Sequence, residues 1–173
     1  ASLPTPRMTI GSTGNVEINA AAATSPFIAK INSAEKLRID SAGRLLVGAS
    51  SPVIAYSTTF LVQVLGSSSA TSGQILAGFA DDATSSGGLI LGKSRNATKA
   101  AGKVVQSGDR LGTIGFVGDD GTALIRGAQV IAEVDGTPGA NDMPGRIVLM
   151  TTAKGASTPT ERFRVSSSGA LGI

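Results

Sequence analysis

Any chemistry in this chain falls to carboxylates, amines or its single phenol, because its 173 residues include no His and no Cys. The missing Cys removes disulfides, thiol nucleophiles and Cys-based zinc sites. The missing His removes the commonest general base and metal ligand. Ser-His, Cys-His and most zinc-hydrolase mechanisms are excluded with them. The carboxylates worth weighing are Asp81-Asp82, Asp109, Asp119-Asp120, Glu133, Asp135 and Asp142. A glycan hydrolase needs two carboxyls about 5–10 Å apart, flanking a sugar. Glu133 and Asp135, two apart at one predicted strand end, are the least trivial pair. Asp119-Asp120, set between Gly118 and Gly121, reads as a turn whose acids cap their own backbone. Glycan-cleaving enzymes also present aromatic platforms, and one Tyr with five Phe is thin material. The sequence reads as non-catalytic, with no cofactor.

Cation and phosphate sites fare no better. Asp135, Asn141 and Asp142 offer oxygen ligands in a Gly-rich loop, but at no calcium-loop spacing. Gly92-Lys93-Ser94 has the end of a phosphate loop, while Leu89-Ile90-Leu91 fills the place of its glycines with strand residues.

The elements that would position these groups are short strands. Apolar residues make up 41% of the chain but aromatics only 3%, so a core of Ala, Val, Ile and Leu must be thin. The 23 glycines leave short segments between them, which predicts many strands and tight turns. A charged fraction of 16% with positive mean hydropathy argues against disorder. The net charge of +3 is dispersed, without the clustered basic face of a nucleic-acid binder. No stretch approaches the roughly 20 apolar residues of a membrane helix. The start, Ala1-Ser2-Leu3-Pro4, has no signal-peptide character, and we expect a processed or excised part of a longer protein.

One motif recurs. Its clearest copy is Glu35-Lys36-Leu37-Arg38-Ile39-Asp40-Ser41-Ala42-Gly43-Arg44-Leu45-Leu46-Val47, and the last is Glu161-Arg162-Phe163-Arg164-Val165-Ser166-Ser167-Ser168-Gly169-Ala170-Leu171-Gly172-Ile173. A looser copy runs from Arg7 to Ile18 around Gly14. Each predicts a hairpin whose Gly takes positive φ. Between the hairpins, strands are expected at 59–65, 74–79, 88–91, 110–117, 123–134 and 146–151; the apolar pattern of 123–134 also fits a short helix. Reversals are expected at Ser86-Gly87-Gly88 and Gly118-Asp119-Asp120-Gly121, and a long Gly/Pro loop from Val134 to Gly145. The expected division is an N-terminal hairpin arm, 1–52, and a β module with closing hairpin, 53–173. Alternating Glu and Arg in the hairpins reads as cross-strand pairing, with an ion pair between subunits as the alternative.

Taken in order, Gly92-Lys93-Ser94-Arg95, Gly108-Asp109-Arg110-Leu111-Gly112, Val134-Asp135-Gly136-Thr137-Pro138-Gly139 and Thr158-Pro159-Thr160-Glu161-Arg162, with the closing hairpin, resemble a module of bacteriophage tail fibres and tailspikes. In that family the closing hairpin often lies just before a C-terminal intramolecular chaperone domain, which we expect to have been cleaved off or left out of this sequence. The resemblance covers about half the chain, plus the first clear hairpin. It implies an all-β, intertwined homotrimeric fibre segment on the phage tail, with other tail proteins and host surface glycan as partners. It implies a structural part in host attachment, outside the cell and without membrane insertion. The long loops then become candidate receptor-facing surfaces, with Asp81 and Asp82 in one and Asp135, Asn141 and Asp142 in the other. The alternatives are a polysaccharide-degrading tailspike fragment, a bacterial surface adhesin domain or a virion decoration protein.

Overall fold

The computed structural model describes residues 7–10, 16–19, 26–79, 81–98 and 102–173. Among them the chain is strand and loop except for one helical turn, α1 (Ser69–Ser72). It divides into two units, Ala1–Ile75 and Leu76–Ile173.

In the first unit, β1 (Arg7–Ile10) and β2 (Val16–Asn19) pair antiparallel, Arg7 opposite Asn19 and Ile10 opposite Val16. The turn expected at Gly14 lies outside the described residues. A separate four-stranded sheet has the order β3 (Phe27–Ile31), β4 (Ala34–Ile39), β5 (Leu45–Val47), β6 (Val62–Val64). Asn32 and Ser33 join β3 to β4 with φ of 50° and 64°, the two positive angles of a type I′ hairpin. Asp40 builds the next turn: its carboxylate accepts the amides of Ala42 and Arg44 at 2.9 and 3.0 Å, and Gly43 turns the chain at φ 77°. β6 then pairs with β5 in parallel, which carries this unit past residue 52.

The second unit holds a five-stranded antiparallel sheet, ordered β11 (Leu171–Gly172), β10 (Thr160–Val165), β9 (Gly145–Thr151), β8 (Leu124–Val134), β7 (Arg110–Asp119). The ambiguous stretch 123–134 is a strand over Leu124–Val134, with Ala128 to Glu133 paired on both sides. The closing hairpin repeats the earlier turn, with Ser166 in the place of Asp40: its hydroxyl accepts the Ala170 amide at 3.0 Å and Gly169 has φ 80°.

Two expectations need correction. Residues 74–79 and 88–91 are in no ladder. The reversal between them falls at 81–84 and not at Ser86-Gly87-Gly88, because the Asp82 carboxylate gathers the amides of Thr84 and Ser85 at 2.8 and 2.7 Å.

Register assigns the faces. In the second sheet Gly112, Ala132, Ile147, Val165 and Leu171 form one row, and Ile114, Val130, Leu149 and Phe163 the next. This face is apolar, yet it is open: Ile114 is 47% exposed, Phe116 56%, Ile147 44% and Leu171 69%. The opposite face holds the buried Ile131 and Val148 among Gln129, Glu133, Arg146, Glu161 and Arg164. Long polar side chains can shield apolar atoms with their stems. The first sheet is arranged the same way. Leu46 and Gln63 are buried in a row with Ile28 and Arg38, while Phe27, Ile39, Val62 and Val64 on the other face are exposed. A one-sided antiparallel sheet ordinarily turns its apolar face to a core. Here the first sheet leaves much of that face exposed, and the second is covered only where Leu89 and Leu91 lie near Gly112, Ile114 and Val130.

Candidate functional site

The carboxylates singled out by sequence are held by their own surroundings. Glu133 and Asp135 do come together, and Arg146 lies between them. Its Nε and Nη2 donate to Glu133 Oε2 at 3.0 and 2.8 Å, and its Nη1 to Asp135 Oδ1 at 3.1 Å. Arg110 Nε approaches the other Glu133 oxygen at 3.5 Å. Asp135 Oδ2 accepts the Ser167 amide at 2.8 Å, which fastens the long loop to the turn of the closing hairpin. That amide and hydroxyl, with Arg146, hold the Asp135 carboxyl below the usual carboxylate range.

Asp109 is nearly buried, at 8% exposure, at the start of β7. Arg95 grips it with two bonds, Nε to Oδ2 at 2.6 Å and Nη2 to Oδ1 at 2.9 Å. The Gln106 amide at 3.0 Å and Lys93 Nζ at 3.3 Å complete the cluster. Arg95 first, then the Gln106 amide, lower its acidity range far below the ordinary one. The sequence offered a weak signal for this clamp: one acid between Lys93-Ser94-Arg95 and Arg110.

The remaining acids shape turns. The Ser85 and Thr84 hydroxyls and amides hold Asp82 well below the usual range. Asp120 accepts from the Thr122 hydroxyl at 2.6 Å and the Ala123 amide at 2.9 Å, and is likewise lowered. Asp119 accepts the Gly121 amide at 2.8 Å. Asn141, with φ 55°, stands in the tight turn where Gly139 and Asp142 exchange backbone bonds of 3.0 and 3.2 Å. Asp81, Asn141 and Asp142 are exposed. The structure thus separates the five candidate loop residues. Asp82 and Asp135 are structural ties, while Asp81, Asn141 and Asp142 present their side chains outward.

A glycosidase acid needs a raised pKa; the shifts at Asp82, Asp109, Asp120 and Asp135 run the other way. Among the described residues no three of His, Cys, Asp or Glu are grouped to hold a metal ion. No helix there is long and apolar enough to cross a membrane. An open groove of about 760 Å³ in the first unit is lined by Lys36, Val47, Gly48, Leu65 and Thr71, and its one carboxylate, Glu35, is paired with Arg38. A smaller hollow, about 200 Å³, lies on the open apolar face of the second sheet between Leu89, Leu91, Ile114, Val130 and Ile147.

No protein-family model matches this sequence, and no curated protein does. Among solved structures, the fold is that of the carboxy-terminal domain of the bacteriophage T5 L-shaped tail fibre. The two superpose with a TM-score of 0.58 at 19% identity, over 82% of this chain and 60% of that one. A second structure of that domain, with its intramolecular chaperone domain, aligns at a TM-score of 0.49 and 18% identity, over 82% and 42% of the two chains. This chain therefore spans less than two thirds of the length of either fibre chain.

Proposed function

We propose that this chain is a non-catalytic structural segment of a bacteriophage tail fibre, self-associated as a homotrimer within the virion's tail and serving host attachment. The observation that carries the proposal is the likeness of its fold to a tail-fibre domain. Two physical features support it. The apolar faces of both sheets are open, as expected of a subunit whose core is completed by its copies. The acids that could have worked as a catalytic pair are tied into turns and arginine clamps.

Host glycan is the proposed surface partner, met by Asp81, Asn141 and Asp142 on loops that Asp82 and Asp135 hold in shape. Threefold repetition of weak contacts would raise apparent affinity without a deep pocket.

Immunogold labelling of particles from the organism that carries the gene tests the placement. Label on phage tails is expected. Label on the capsid or on the bacterial surface would overturn it in favour of a decoration protein or an adhesin. In parallel, the chain is incubated with a panel of bacterial surface polysaccharides. Retention without release of reducing ends is expected, and release would identify a depolymerase instead.

A further inference from the structure

We infer that the open groove of the first unit takes a short saccharide bearing a carboxylate, and that Lys36 is the group that receives the carboxylate. The inference rests on the reading of host glycan as a partner, and assigns a contact surface apart from the loops of the second unit.

The repeated hairpin singles out Lys36. It is the unmatched bulge residue of β4, and Arg162 holds the same place in β10. Arg162 Nε donates to the Thr151 hydroxyl of its own sheet at 3.0 Å. Lys36 lines the groove instead, and among the described residues its amine has no hydrogen bond or ion pair. The one carboxylate on the lining, Glu35, gives both oxygens to Arg38, at 2.5 and 2.7 Å. The net charge of the groove is therefore that of Lys36, which favours an anionic occupant.

The groove is held in shape on each side by bonds within the unit. At the end of the parallel seam the Leu65 amide donates to the Val47 carbonyl at 2.9 Å, and the Gly48 amide to the Lys36 carbonyl at 3.1 Å. Gln63, nearly buried, fixes the stretch around Val53: its side chain accepts the Val53 amide at 2.8 Å and donates to the Val53 carbonyl at 3.1 Å. Helix α1 stands against Gly66, where a Cβ would fall 2.3 Å from the Thr71 hydroxyl oxygen. A preformed site binds without the cost of ordering its own loops.

Size and lining select the ligand. A volume of about 760 Å³ is far more than a lone anion fills, and lies within the range of small-ligand sites. Val47, Val53 and Leu65 offer apolar surface, while Ser51 and Ser67 offer hydroxyls. A sugar ring matches both with its C–H faces and hydroxyl rim, and an acidic sugar adds the carboxylate that Lys36 lacks. Asp81 and Asp142 on the other unit's loops carry the same charge as such a ligand, so this surface and those loops select different parts of a glycan.

The test is isothermal titration calorimetry of the full chain with tetragalacturonate. Maltotetraose serves as the neutral saccharide and tetraglutamate as an acidic peptide. The variants are Lys36→Gln, Lys36→Arg and Ser51→Trp, which fills the groove and leaves Lys36 in place, with Lys154→Gln as a charge control in the other unit. Lys36 and Ser51 are exposed, so far-ultraviolet circular dichroism of the variants should match wild type. Support would be tetragalacturonate binding about tenfold or more tighter than either comparator and weakening as salt is raised. Lys36→Gln and Ser51→Trp should each weaken it about tenfold, while Lys36→Arg and Lys154→Gln should not. No binding of tetragalacturonate, equal binding of tetraglutamate, or affinity indifferent to Lys36→Gln and Ser51→Trp would overturn the inference. The polysaccharide panel separates the two readings: retention of wild type and Lys36→Gln alike would remove the groove and keep the glycan partner, and no retention of wild type would remove both.

Discussion

Arg38 holds Glu35 by two bonds, Nε to Oε1 at 2.5 Å and Nη2 to Oε2 at 2.7 Å, although the two stand three residues apart on one strand. On a regular strand such residues point to opposite faces. A bulge reconciles them: Ala29 lies opposite Leu37 and Lys30 opposite Glu35, so Lys36 is the unmatched residue that reverses the alternation. The closing hairpin repeats the device. Arg162 is unmatched between Glu161 and Phe163, and Glu161 pairs with Arg164. A third case joins Arg126 to Gln129 at 2.8 Å, across the slip between Phe116 and Val117. In both hairpins the bulge puts the ion pair on the closed face and leaves Leu37, Ile39, Phe163 and Val165 on the apolar one.

The pairs therefore form within one strand, and not across strands as expected. Arg164→Ala should lower the melting temperature only slightly and leave native mass unchanged, since a half-exposed ion pair contributes little. Inserting an Ala between Phe163 and Arg164 should do far more, because a one-residue slip turns every later side chain of β10 to the other face. Thermal melts of the two variants, side by side, check the ranking.

Leu46 and Ile131 are the buried anchors of the two sheets, at 0% and 1% exposure. Leu46→Ala and Ile131→Ala should each cost about 2–5 kcal/mol of unfolding free energy. Hydrogen exchange should find the loss centred on β3 to β6 in the first variant and on β7 to β11 in the second.

Gly48 follows β5 with φ 81°, and a Cβ there would fall 2.1 Å from the Leu65 carbonyl oxygen. Gly48→Ala should break the parallel seam between β5 and β6, costing roughly 1–3 kcal/mol. Amide exchange at Val62 to Val64 should rise while the five-stranded sheet keeps its protection.

Asp109 and Asp135 have folded-state pKa values depressed below the ordinary value of about 3.9. The unfolded chain then binds protons more readily than the folded one, so acid favours unfolding. Their contribution is fully present above the ordinary carboxylate range and is lost as pH falls below about 4 towards the depressed values. Asp109→Asn should lower stability at neutral pH and flatten the acid limb of melting temperature against pH. An unaltered acid limb would remove Asp109 from this account.

The hairpins were legible in the sequence because their turn chemistry is local: Asp40 with Gly43, and Ser166 with Gly169, lie within a few residues of each other. The strands of the second sheet were legible from length and alternation. Face assignment was not, because the bulges at Lys36 and Arg162 break the period-two rule at the residues used to apply it. The strands expected at 74–79 and 88–91 have the right residues, but pairing requires a partner that sequence pattern does not identify. The ties from Arg95 to Asp109 and from Ser167 to Asp135 span 14 and 32 residues, beyond any local pattern.

The central claim is that open apolar faces are completed by copies of the same chain, and native mass in solution tests it most directly. Light scattering on the full chain, paired with a detergent gel run unheated and boiled, should give three times 17.2 kDa and a species that boiling alone dissociates. A cooperatively folding monomer of 17.2 kDa, stable at high concentration, would contradict the account.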